Sequence, residues 1–183
     1  GLEKDTAVLF LSDHGHPLGV HQIIRKIPKA LYPELLDAPL LLYLPNAHGK
    51  KSIEAIIQER DIAPTLLNLM GVKDAESMKG LDFSAVLTND KVEMRKYAAG
   101  GYHTHAYTRN RKFHYFANLR EPKERYLFNL EKDRDMNQNI AETNPAEENG
   151  RTQLYDALHF FCPKIVREKV EKKRLTTFRS KVE

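Results

Sequence analysis

The chain has 183 residues, 41% of them hydrophobic and 30% charged, which excludes a disordered chain and fits one domain of ordinary size with a real core. No apolar run approaches the roughly 18–20 residues that a membrane span needs. The formal net charge of +4 is uneven: Lys164 to Glu183 carries a local balance of +5, and the remainder −1.

Gly1 to Asp5 lacks the marks of a signal peptide and leads almost directly into a strand, so we expect the chain to start at an internal point of a longer protein. Thr6 to Ser12 is a short apolar run rich in strand formers, with the look of a buried parallel strand whose carboxyl end delivers Asp13, His14 and Gly15. Ligand sites of open α/β sheets gather beyond such strand ends. Pro17 to Pro33 is irregular, and loops of that length in compact domains are often functional. Ala38 to Pro45 predicts a second buried strand between two prolines, and Ser52 to Ile57 a third.

Asp61 to Met70 predicts a helix. Asp61 is placed to cap its N-terminus, Pro64 sits in the first turn, and Gly71 closes the far end. Ile62, Ala63, Leu66, Leu67 and Met70 are expected to form its core-facing stripe. From Lys96 the period changes. Tyr97 to Thr108, Lys112 to Asn118 and Arg125 to Leu130 predict three strands joined by the short segments Arg109 to Arg111 and Glu121 to Lys123, an antiparallel meander. Asn144-Pro145-Ala146-Glu147 is a helix start with Glu147 placed as in a capping box, and Leu154, Ala157, Leu158 and Phe161 supply the apolar face.

Asp13 and His14 are the sharpest chemical feature. Adjacent side chains on a strand point to opposite faces, but past the strand end the backbone turns and both can face one ion. His16, His21, Arg25 and Lys26 follow within the same loop, joining possible metal ligands to cations suited to a tetrahedral anion. The bland alternative is a turn-capping Asp among wet surface histidines. His103 and His105, two apart on a predicted strand, form a possible metal pair, with a plain surface strand as the favoured reading. Tyr102, Tyr107, Phe113, Tyr115 and Phe116 read as sheet packing rather than a base-stacking platform. No phosphate-binding glycine-lysine loop occurs. The basic C-terminal segment is interrupted by Glu168 and Glu171 and reads as a solvated helix, so no nucleic-acid partner is expected. The single cysteine, Cys162, allows no intrachain disulfide and assigns no compartment.

Three ordered blocks carry a resemblance. The segment from Ser12 to Pro45 resembles the sulfatase pattern S-D-[HN]-G, then L-G-E-H-G, a lysine, an aromatic-plus-Glu segment and a Pro-led apolar strand. Asp61 to Val72 resembles D-[IL]-x-P-T-[LI]-L-x-L-x-G-[IV], followed by G-x-[DS] at Gly80-Leu81-Asp82. Tyr126 to Glu142 resembles the closing L-Y-[DN]-L-x-x-D-P-x-E-x-x-N-[LI]-A. The chain is similar, over roughly residues 6–142, to the C-terminal portion of sulfatases of the alkaline phosphatase superfamily.

The resemblance implies an α/β fold: residues 1–90 as the edge of a large alkaline-phosphatase-like sheet, 91–163 as a small antiparallel subdomain with a packed helix, and 164–183 as a basic tail. It implies a sulfuric ester hydrolase acting on a sulfate-ester substrate. Asp13 and His14 would be ligands of a divalent metal ion, Ca²⁺ in a sulfatase. Lys26, thirteen positions after Asp13, would contact the sulfate and offset transition-state charge. His21 matches the histidine of L-G-E-H-G and would shape the catalytic loop. Val20 departs from the Glu of that motif, Gln22 from its Gly, and Arg134 from the Pro of the last block. The family's nucleophile, a Cys or Ser of C/S-x-P-x-R converted to formylglycine, does not occur here. The partner expected is therefore the missing N-terminal half, and exposed sheet surface would favour self-association. A phosphodiesterase or phosphonate hydrolase of the same superfamily, with Zn²⁺ or Mn²⁺, is the second enzyme reading, and a non-catalytic interaction module the third.

Overall fold

A computed structural model describes residues 1–45, 47, 51–72, 77–89, 91–121 and 123–161. Cys162, the basic segment and Pro122 lie outside them. The chain divides into two compact units, Gly1–Ala98 and Ala99–Glu183. The element classes are α/β: two small antiparallel sheets and four helices among the described residues.

In the first unit, β1 (Val8–Leu11) pairs antiparallel with β2 (Leu40–Tyr43), in the register Val8↔Tyr43 to Leu11↔Leu40. This corrects the expectation of a buried parallel strand. The connecting residues 12–39 hold no crossover helix, only a loop and the four-residue α1 (Pro33–Leu36), and they return the chain beside β1 in the opposite direction. Nor are these strands buried. Val8, Phe10, Leu41 and Tyr43, cross-strand neighbours on one face, are all exposed. An apolar run shows that a strand can be covered on both sides, not that its cover lies in the same chain. Ser52 to Ile57 forms no strand.

α2 (Ile62–Leu69) follows a 3-10 turn at Glu59–Asp61. Gly71 ends it in the left-handed region at φ 77°, with Gly71 N–H donating to Asn68 O and Val72 N–H to Leu67 O. The predicted stripe holds in part: Ile62, Leu66 and Leu67 are half-buried, but Ala63 and Met70 are exposed, and the fully buried positions are Pro64 and Thr65. Thr65 explains the rotation. Its hydroxyl donates to Asp61 O at 2.6 Å and accepts from Phe83 N–H at 2.9 Å, which turns this polar face inward toward the segment before α3 (Ser84–Thr88).

Asp61 caps one turn earlier than expected: it is not the side-chain N-cap of α2 but closes a capping box with Gln58 on the 3-10 turn that leads into it. Its carboxylate accepts from Gln58 N–H, Leu81 N–H and both terminal nitrogens of Arg95. Gly80 packs where a Cβ would collide with the Arg60 carbonyl. The second resemblance block and its Gly80-Leu81-Asp82 sequel are thus one packed assembly around a buried carboxylate.

The second unit is built on a sheet of order β3-β4-β5-β6: β3 (Ala98–Tyr102), β4 (His105–Arg109), β5 (Phe113–Asn118) and β6 (Arg125–Asn129). β5 pairs antiparallel with both neighbours, as the meander predicts. The first predicted strand is really two. The chain turns at His103, whose φ of 57° no strand tolerates. Gly100 gives way to the Tyr107 ring, and Gly101 to the His105 carbonyl. α4 (Ala146–Phe161) lies on this sheet, with Tyr115, Ala117, Leu127 and Leu154 in the shared core. Gly150 permits the close approach: a Cβ there would stand 2.7 Å from Cβ and Cγ of Tyr115. Asn144 Oδ1 accepts from Ala146 N–H at the helix start. Glu147 does not close a capping box; it binds Glu142 N–H and the Arg125 guanidinium.

Candidate active site

Asp13 and His14 leave β1 as a tight turn. Ser12 Oγ donates to His14 O at 2.8 Å, and His14 N–H donates to Asp13 Oδ1 at 2.9 Å. The imidazole Nδ1 lies 2.6 Å from Gly15 O. A carbonyl cannot donate, so Nδ1 carries the proton, and the Nε2 of the neutral ring presents its lone pair outward. That Nε2 is 3.7 Å from Asp13 Oδ2, and the two side chains are 38% and 84% exposed. Donors of one ion, each bonded at about 2.0–2.6 Å, stand roughly this far apart. The tautomer, the outward lone pair and the spacing fit a divalent metal ion. Two donors make only part of a coordination shell, and among the described residues no group of three His, Cys, Asp or Glu side chains converges.

The turn is braced from behind. Gly15 N–H donates to Leu35 O at 2.9 Å, and a Cβ on Gly15 would fall on the Glu34 carbonyl of α1. The loop beyond is a small hairpin, with an isolated bridge between Leu18 and Ile24, Gly19 N–H donating to Ile23 O, and Arg25 N–H donating to Pro17 O. His21, Gln22 and Arg25 all have positive φ, 54°, 57° and 121°. Non-glycine residues in these regions cost of order 1–2 kcal/mol each and persist only where their surroundings hold them. Gln22 stands where the L-G-E-H-G pattern has Gly, so the backbone keeps a glycine conformation although the side chain has changed.

His21 is nearly buried. Its ring stacks on Tyr32 at a centroid distance of 3.9 Å, and its Nδ1 lies 3.2 Å from Glu34 Oε1. Lys26, half-buried, ends the loop. His16 and Arg25 are exposed. His103 and His105 do not form a pair: His103 sits in an exposed turn, while His105 is buried at the start of β4, with Nε2 3.4 Å from Glu124 Oε1. Sequence reasoning missed two residues. Glu34 was visible only as part of the aromatic-plus-Glu segment, and its partnership with His21 spans thirteen positions. Arg95 left no signal at all, because a lone arginine 34 residues from its carboxylate follows no pattern.

An apolar strand delivering an Asp-His pair into a braced loop that ends in a lysine gathers, on one loop, groups able to hold a cation and a group able to meet an anion. Comparison with known proteins narrows this. The family model described as N-sulphoglucosamine sulphohydrolase, C-terminal, matches residues 26–161, and the chain belongs to the sulfatase family as its C-terminal portion. An arylsulfatase from Clostridium perfringens is 33% identical over 144 residues, covering 73% of this chain and 29% of the relative. An ulvan-active sulfatase from Formosa agariphila is 30% identical over 112 residues, covering 56% and 22%. A solved structure of BT4656 in complex with its substrate D-glucosamine-2-N,6-O-disulfate superposes with a TM-score of 0.74 at 23% identity, covering 93% of this chain and 37% of that one, which shows the shared fold. The chain therefore spans between about a fifth and two fifths of the length of these relatives.

Proposed function

We propose that this chain is the C-terminal part of a metal-dependent sulfatase that hydrolyses sulfate esters of carbohydrates, with the nucleophile supplied by chain outside these residues. The observation that carries the reading is the Asp13–His14 turn, with its outward Nε2 and carboxylate, in a chain of the sulfatase family. The sugar class is supported by the family description and by the structural neighbour, both of which name a sulfated glucosamine.

Asp13 and His14 would hold the divalent ion, Ca²⁺ by family pattern, which when bound supplies polarisation of the sulfate oxygens. His14 is held to one tautomer by Gly15 O, so the ligand nitrogen needs no reorganisation to accept the ion. Lys26 would contact the sulfate and offset the charge that develops as the ester bond breaks. His21 acts behind the loop, shaping it rather than touching the reacting group. The phosphodiesterase and interaction-module readings are not favoured, since the named relatives are sulfatases.

The test compares the full-length protein with Asp13→Ala on an aryl sulfate and an aryl phosphate diester, with metal content measured beside activity. Sulfate turnover that falls at least about a hundredfold in the variant, together with lost metal, is the expected result. Turnover of the diester alone would overturn the sulfatase reading. Unchanged metal content in Asp13→Ala would overturn the ligand assignment.

A further inference from the structure

We propose that Glu34 is a positioning residue, holding His21 and the Asp13–Gly15 turn in one arrangement; the proposal rests on the reading of Asp13 and His14 as metal ligands. One short helical turn, α1 (Pro33–Leu36), grips the candidate site twice. On its backbone side, Leu35 O accepts from Gly15 N–H at 2.9 Å, and the Glu34 carbonyl fills the space a Gly15 side chain would need. Gly15 O in turn fixes the His14 ring. On its side-chain side, Glu34 Oε1 lies 3.2 Å from His21 Nδ1, with the two side chains only 23% and 10% exposed. Tyr32, just before the turn, carries the His21 ring on its face.

This double grip explains how strained backbone survives. His21 and Gln22 occupy the left-handed region, at φ 54° and 57°, at the second point of attachment. Released, they would relax and carry Lys26 and the Asp13–Gly15 turn to new positions. The chemistry of Glu34 argues against simple packing. Its second oxygen, Oε2, is buried without a hydrogen-bond partner among the described residues. A buried carboxylate oxygen left unmatched is unfavourable, and an apolar side chain of similar volume would pack there at less cost. The carboxylate is accounted for by what its other oxygen does: it faces the imidazole Nδ1 at 3.2 Å, a charge contact that falls short of hydrogen-bond geometry and still favours one ring orientation. A lone pair on Nδ1 facing a carboxylate would be repelled, so His21 carries its proton on Nδ1, and the ring has one orientation.

The experiment labels histidine with ¹⁵N in the intact protein and reads the His21 tautomer by NMR at about pH 8, above the ordinary imidazole range. Calorimetry with Ca²⁺ and with Mn²⁺ is run on the same samples. The wild-type protein is expected to show the Nδ1-protonated ring. Glu34→Gln keeps an oxygen acceptor and should preserve both that tautomer and metal affinity to within about threefold. Glu34→Ala should shift the ring to the Nε2-protonated form and weaken metal binding about tenfold or more. An unchanged tautomer and affinity in Glu34→Ala, beside an Asp13→Ala control that has lost the metal, would overturn the role of Glu34 alone. So would a Glu34→Gln variant as damaged as Glu34→Ala. An Asp13→Ala control that binds metal like the wild type would overturn the underlying ligand assignment instead.

Discussion

Asp61 shows how a residue legible in the sequence can be given only part of its task. Its position before an apolar helix predicts a cap, and its carboxylate does close a capping box with Gln58, but it also serves Arg95 and Leu81. Burial pushes this carboxyl up, but the Arg95 hydrogen bonds, the two backbone N–H donors and the Arg95 charge outweigh it and hold the carboxyl below the usual carboxylate range. A depressed folded value means stability that is fully present above the ordinary Asp range near pH 4 and is lost as pH falls through the folded value. Acid unfolding followed by circular dichroism should therefore show a loss below about pH 4 that is much reduced in Asp61→Asn. Removing the other partner is harsher: Arg95→Ala leaves the charge buried and should cost about 3–5 kcal/mol in urea unfolding. Gln22 points the other way. At φ 57° it occupies a conformation that glycine adopts without strain, so Gln22→Gly should stabilise by about 0.5–1 kcal/mol, strain relief of about 1–2 kcal/mol exceeding glycine's entropy loss.

Among the elements, α4 and its sheet were the most legible and α2 the least. Strand positions in the second unit follow from short alternating runs and turn residues; Asn110, whose Oδ1 accepts from Lys112 and Phe113 N–H, marks one turn as the sequence suggested. The break between β3 and β4 was hidden because the turn falls on His103 and Thr104, which carry no strong turn signature, while Gly100 and Gly101 lie inside β3, where the Tyr107 ring over Gly100 shows why they are needed. The α2 stripe held only at Ile62, Leu66 and Leu67 because a buried threonine, not leucine periodicity alone, sets the inward face. The candidate site was legible as a list, Asp13, His14, His21 and Lys26, but not as an assembly, since α1 braces it through backbone atoms that no side-chain pattern encodes. The Gly150 contact yields a prediction whose sign is informative. Alanine in a helix interior normally gains about 1 kcal/mol over glycine. Here the added Cβ meets the root of Tyr115, and overpacking of about 1–3 kcal/mol should win. Gly150→Ala should lower the thermal midpoint, whereas a gain would show that α4 shifts without penalty.

At the scale of the whole molecule, the exposed face of Val8, Phe10, Leu41 and Tyr43 has no place on a lone soluble chain. This chain produced by itself should self-associate with rising concentration, and the double change Phe10→Ser and Leu41→Ser should shift its sedimentation toward monomer. The two units also differ in how far along the chain their contacts reach. In the second, strands β3 to β6 each pair with the strand before or after them, across connections of a few residues. In the first, Leu11 must find Leu40, and Asp61 must find Arg95. Closing short loops is fast and closing long ones is slower and entropically dearer, so contact order separates the units in time. In refolding, the meander should acquire amide protection first, within the early milliseconds of a pulse-labelling experiment, while the loop that carries Asp13, His21 and Lys26 is among the last parts to set. The residues proposed for chemistry would then be assembled onto a chain whose C-terminal unit has already found its shape.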